Sequence, residues 1–195
     1  MASTHVDPSA YRREFLWELS IAETQLLSLA ESVPEESYSW RPAEDARSFS
    51  EVMVHIAAGN LMLMARAGVI TPEVEELCCG IRSNPLAEDE NERWIGVVRR
   101  MQALQLTLTG KREVIELLKR SFAAVRSTFS ETTEDWLSTP REFFGKPTTV
   151  RRVYLRILTH SHEHMGQLIS YARIMGYRVP WPDPLKALDS VGSSA

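Results

Sequence analysis

Thr159-His160-Ser161-His162-Glu163-His164-Met165-Gly166-Gln167 is the stretch from which the chain is best read, because chemically special side chains recur there at helical spacing. On an α-helix, residues four apart leave the same face one turn above the other, so His160 and His164 form a pair. His162 points to the far side and reads as a solvent-exposed histidine. Two imidazoles are only part of a metal site, and the partner must come from another helix. His55, within the apolar run Val52-Met53-Val54-His55-Ile56-Ala57, is the candidate.

The histidine pair lies on a helix expected from Thr148 or Thr149, both good N-caps, to about Met175. Val150, Val153, Ile157, His160, His164, Leu168 and Tyr171 share one face, and Gly176 suits the C′ position. His55 lies on a helix opened by the capping box Ser48-Phe49-Ser50-Glu51. Its inward stripe is expected to be Val52, His55, Ile56, Gly59 and Leu63, with Met62 beside it. Asn60, slightly off that stripe, either lines the site or caps a neighbouring group. A first helix is expected over about Ala10 to Ser32, closed by Pro34, and a third over about Arg112 to Thr132.

Four amphipathic helices without a strand pattern imply an all-α four-helix bundle. The connection Pro34–Arg47 reads as an ordered link, and Glu134–Pro147 as a connection punctuated by aromatic residues and prolines. Gly68 to Gly110 is much longer; a short helix starting at Pro72 and a further helix over Asn91–Thr107 fit its pattern. That length allows a crossover leaving the second and third helices parallel, while the shorter links join antiparallel neighbours.

The chain has 195 residues, enough for a single domain spanning 1–195, with its core over about 10–184 and both termini loose. Its 22 basic and 26 acidic residues give a net charge of -4, with no basic stripe, so nucleic acid is not an expected partner. No apolar run approaches the roughly 18 to 20 residues needed to span a bilayer, and Met1 to Pro8 lacks a signal-peptide pattern. A cytoplasmic protein without a membrane partner is expected. Cys78 and Cys79 are adjacent, which suits neither a disulfide framework nor a Cys-x-x-Cys zinc motif.

A histidine on a core-facing stripe needs either a hydrogen bond or a metal, because burying an unpaired imidazole is costly. One reading leaves His160 and His164 on a wet helix edge and gives His55 a single hydrogen bond. The other converges all three on a divalent ion, for which neutral imidazoles suit zinc, nickel, copper or iron. The meeting of three histidines on inward stripes of two helices favours the ion. His-Glu-x-x-His zinc-protease chemistry fits poorly, since Ser161 follows His160 and Glu163 points away. A di-iron bundle would need Glu-x-x-His repeats, which are absent.

Trp40-Arg41-Pro42, then Arg47-Ser48-Phe49-Ser50-Glu51-Val52 with His55, and later His160-x-x-x-His164-x-Gly166-Gln167 resemble the DinB/YfiT-like superfamily over about Tyr11 to Pro184. The resemblance implies a four-helix bundle, often a homodimer, with His55, His160 and His164 holding nickel or zinc. It further implies a thiol S-transferase-like enzyme passing a low-molecular-weight thiol such as bacillithiol or mycothiol to an electrophilic or toxic small molecule. Water in the thiol's place would give a metal-dependent hydrolase, and a non-catalytic stress-related or ligand-binding metalloprotein is the rival of another class. Gln167 and Tyr171 are possible site-lining residues, each one turn further along the helix. Arg41 and Arg173 are weaker candidates for holding a substrate carboxylate.

Overall fold

In a computed structural model, residues 8–78 and 90–181 are described, with side chains over 10–77 and 94–181. The expectations for the thiol of Cys78, for Cys79 and for the two terminal segments lie outside what is described. Four long helices form the bundle: α1 (Pro8–Ser32), α2 (Phe49–Ala67), α5 (Lys111–Ser130) and α7 (Val150–Ile174). Between α2 and α5 the chain forms α3 (Pro72–Cys78) and α4 (Glu90–Thr107), so most of the described part of the long connection is helical. Among the described residues, no helix is long and apolar enough to cross a membrane.

The helix ends follow local chemistry. Ser48 Oγ accepts from the Glu51 amide while Glu51 Oε2 accepts from the Ser48 amide at 2.8 Å, a complete capping box that starts α2. Gly68 ends α2 in the left-handed region at φ 87°, where a side chain would be strained. Thr149 caps α7 by accepting from the Arg152 amide. Phe15, Leu19, Ala22, Leu26 and Leu29 are the buried stripe of α1, and Val114, Leu118, Phe122, Val125 and Phe129 that of α5. Phe15 and Phe129 stack with ring centroids 3.9 Å apart, and Tyr154 meets both. Truncating such a ring to alanine costs about 3–5 kcal/mol.

Packing places α2 against both α5 and α7, and α1 against the same two helices. Consecutive α1 and α2 therefore occupy opposite corners, as do α5 and α7. The expectation that short links join neighbours is thus reversed: each short link crosses the bundle's diagonal, while the long one joins adjacent α2 and α5. The first link is firmly held, with the Phe49 amide donating to Trp40 O and the Ser50 amide to Tyr38 O, both at 2.9 Å.

Two further differences concern faces and strands. Instead of presenting one stripe, α2 is buried on nearly every side, because α3 and α4 cover the flank that the bundle leaves open. Residues 134–149, expected as a connection up to Pro147 followed by the start of the last helix, contain the one-turn helix α6 (Glu134–Leu137) and an antiparallel hairpin, β1 (Pro140–Phe143) with β2 (Lys146–Thr149). Phe144 and Gly145 turn it with φ of 51° and 70°. Arg141 of β1 donates through Nε to the Ala67 carbonyl at 3.0 Å, which ties the hairpin to the end of α2.

Candidate metal centre

The adjacency of α2 and α7 brings His55 against His160 and His164. The ring centroids are 4.9 Å apart for His55 and His160, and 4.6 Å for each of the other two pairs. Each histidine offers one ring nitrogen, and these three nitrogens lie within 4.8 Å of one another. His55 Nε2 and His160 Nε2 are 3.1 Å apart and share a hydrogen bond.

The other ring nitrogens are turned outward. Gln167 Oε1 lies 3.0 Å from His164 Nδ1, and Gln167 Nε2 donates to Tyr171 Oη at 2.7 Å. Gln105 Nε2 lies 3.3 Å from His55 Nδ1, and Gln105 Oε1 accepts from Arg47 Nε at 3.0 Å. His160 Nδ1 is buried against Gly59 and, among the described residues, has no hydrogen-bond partner. What remains to face a common centre is the Nε2 of each ring.

Burial is the main cause that lowers the pKa of His55 to about 3, with Arg47 and the other two histidines adding to it. Burial likewise lowers His160 to about 4, aided by His164 and Arg156 and opposed by Glu163. Both rings are neutral at neutral pH, the form in which imidazole ligates a metal. His160 is buried, whereas His55 and His164 are half-buried, so the cluster lies at the edge of the core.

The donor set fits a divalent ion of the zinc or nickel kind: three imidazoles, no competing carboxylate among the three, and the Gln167 carbonyl oxygen placed to accept from the outer Nδ1 of His164. The family model of the DinB superfamily matches residues 18–168. The chain belongs to the DinB superfamily. Its fold is similar to that of a DinB-like protein from Bacillus cereus ATCC 10987, at 18% identity and a TM-score of 0.54, over 88% of this chain and 97% of that one. It is also similar to the DinB-like protein YjoA from Bacillus subtilis, at 18% identity and a TM-score of 0.50, over 86% and 96% of the two chains. At these identities the likeness is one of fold. Among curated proteins, none matches this sequence.

In this DinB chain the remaining residues singled out by sequence separate clearly. Gln167 and Tyr171 stand in a line behind His164. Asn60 does not join the cluster: it is fully buried and donates through Nδ2 to Ser121 Oγ of α5 at 3.3 Å, because its position on α2 faces that helix. Arg41 is ion-paired to Glu51 at 2.7 Å, and Arg173 is exposed. His162 is exposed and its Nδ1 donates to Leu158 O at 2.9 Å, while Glu163 pairs with Arg156 at 3.0 Å. The reading from sequence missed Gln105, Arg47 and the part played by Gly59. A signal for Gln105 existed: Val97, Met101 and Gln105 are buried at four-residue spacing on α4, so a glutamine interrupts an apolar stripe.

Proposed function

We propose that this DinB chain is a metal-dependent enzyme that transfers a low-molecular-weight thiol to an electrophilic or toxic small molecule. The carrying observation is the convergence of His55, His160 and His164 from two helices at a half-buried edge of the core. Held by their Nε2 atoms, zinc or nickel would supply a Lewis acid that lowers the pKa of a thiol bound there.

The chain's own side chains do the rest. Burial keeps His55 and His160 uncharged, Gln167 and Gln105 orient the outer two rings, and the packing of α2 on α7 fixes their spacing. The thiol gives its proton to solvent, and its sulfur forms the new bond to an electrophilic carbon. The displaced electron pair leaves with the leaving group or enters a conjugated carbonyl.

A second reading, a ligand-binding protein without catalysis, is favoured by a groove elsewhere. A cavity of about 670 Å³ lies between α3, α4 and α5, floored by Leu61, Leu77, Leu104 and Leu117, with none of the three histidines in its walls. Metal content of protein purified without a histidine tag, compared with His55→Ala and His160→Ala, is the first test. About one equivalent of metal per chain in the parent and none in the variants supports the site. Metal-dependent consumption of bacillithiol or mycothiol with an electrophile supports the transferase. Bound metal without turnover, together with ligand uptake in the groove, supports the second reading instead.

A further inference from the structure

We infer that Gln105 and Arg47 decide which ring nitrogen of His55 carries its proton, and that this choice holds the three-histidine cluster in a form that a metal has to displace. The inference rests on the metal reading above. Neither residue touches the common centre, so each acts as a positioning residue through His55.

A guanidinium has donors and no acceptor, so the 3.0 Å contact from Arg47 Nε fixes the Gln105 amide with its oxygen toward Arg47. The amide nitrogen must then face His55, where it donates to Nδ1 at 3.3 Å. Nδ1 is therefore the lone pair of a neutral ring, and the proton sits on Nε2. That N–H faces His160 Nε2 at 3.1 Å, which makes His160 the acceptor and puts its own proton on the buried, unpartnered Nδ1.

His164 is under no such constraint. Its glutamine, Gln167, is backed by the hydroxyl of Tyr171, which can donate or accept, so that amide can serve the ring either way round. Among the three histidines, His55 is the one whose proton is placed by a group that can only donate.

Ligation through His55 Nε2 requires the proton to move to Nδ1. Both forms are uncharged; the change is one of site. An Nδ1–H needs an acceptor, so Gln105 has to turn its amide over and offer Oε1 to the ring. Its NH2 would then confront the Arg47 N–H, donor against donor, and the exposed Arg47 side chain must swing away. Metal uptake at the α2–α7 contact is thereby coupled to Gln105 on α4 and to Arg47, the residue just before the N-cap of α2.

The test uses the full chain stripped of metal, with 15N-labelled histidine, at pH 8. Imidazole 15N shifts, assigned to His55 with a His55→Gln variant, report which nitrogen is protonated without any activity measurement. The proton is expected on Nε2 in the parent, on Nδ1 in Gln105→Glu, whose carboxylate accepts from both Arg47 and the ring, and shared between them in Arg47→Met. Zinc affinity, read by competition with a chromophoric chelator, is expected to rise about threefold or more in Arg47→Met and Gln105→Glu, and to fall about tenfold in Gln105→Leu. A parent His55 protonated on Nδ1, or an Arg47→Met protein that binds zinc no more tightly than the parent, overturns the inference. Zinc binding absent from the parent sinks the metal reading instead, while the tautomer measurement still decides this one.

Discussion

Gly59 of α2 leaves the space that His160 of α7 fills: a Cβ at position 59 would lie 2.5 Å from His160 Cε1 and 3.0 Å from Nδ1. Glycine inside a helix ordinarily costs about 1 kcal/mol relative to alanine, so this helix gives up propensity where the imidazole needs room. With alanine there, the ring has to swing away from His55 and His164. Gly59→Ala is expected to fold with α2 intact and to bind zinc about tenfold more weakly or worse. Competition with a chromophoric chelator checks this, and a parent-like affinity would show that the close approach is irrelevant to the site.

Behind His164, Gln167 and Tyr171 continue the hydrogen-bond line at 3.0 and 2.7 Å. Outer partners of this kind fix ring orientation and typically contribute 10- to 100-fold in metal affinity. Gln167→Leu is expected to weaken zinc binding about tenfold, and Tyr171→Phe by less, because Gln167 still meets the ring. Equal affinities in all three proteins, measured side by side, would reduce the line to packing.

Stability of the metal-free protein should depend on pH in a defined direction. The folded chain holds His55 at about 3 and His160 at about 4, mainly through burial, whereas unfolded histidine titrates near 6.5. Between those values the unfolded state binds more protons, so stability rises with pH there; it is fully present above about 6.5 and falls away as pH drops. Each histidine contributes a slope approaching about 1.4 kcal/mol per pH unit. Urea unfolding at pH 6.5, 6 and 5 should show the decline, and His160→Gln should remove part of it. A flat profile across that window would mean that the two rings are not held neutral by the fold.

Legibility in the sequence followed how local each signal was. The capping box at Ser48–Glu51, the caps at Thr149 and Gly176, and the four-residue step from His160 to His164 depend on neighbouring residues, and each is present in the structure. The hairpin escaped notice because its strands are four residues long, each carries a proline, and Phe144-Gly145 is a weaker turn signal than Asn-Gly. Burial of both flanks of α2 could not be read from α2 alone. Its run from Phe49 to Met64 is apolar nearly throughout, and what covers its outer flank lies in α3 and α4. Gln105 was hidden for the same reason, since a buried glutamine gains meaning only when α4 is laid against His55.

Metal binding should appear as stability, because an ion that binds the folded chain and not the unfolded one shifts the equilibrium by mass action. Free zinc at 100 times its dissociation constant contributes about 2.7 kcal/mol. For a chain of this size each kcal/mol raises the melting temperature by roughly 2–4 °C, so a rise of about 5–10 °C is expected, reversed by a chelator. His55→Ala and His164→Ala should lose the rise. His162→Ala should keep it, because that ring is exposed and turned to the Leu158 carbonyl. Scanning calorimetry of the four proteins with and without zinc decides the matter: a rise that survives in His164→Ala, or disappears in His162→Ala, would place the ion somewhere other than between α2 and α7.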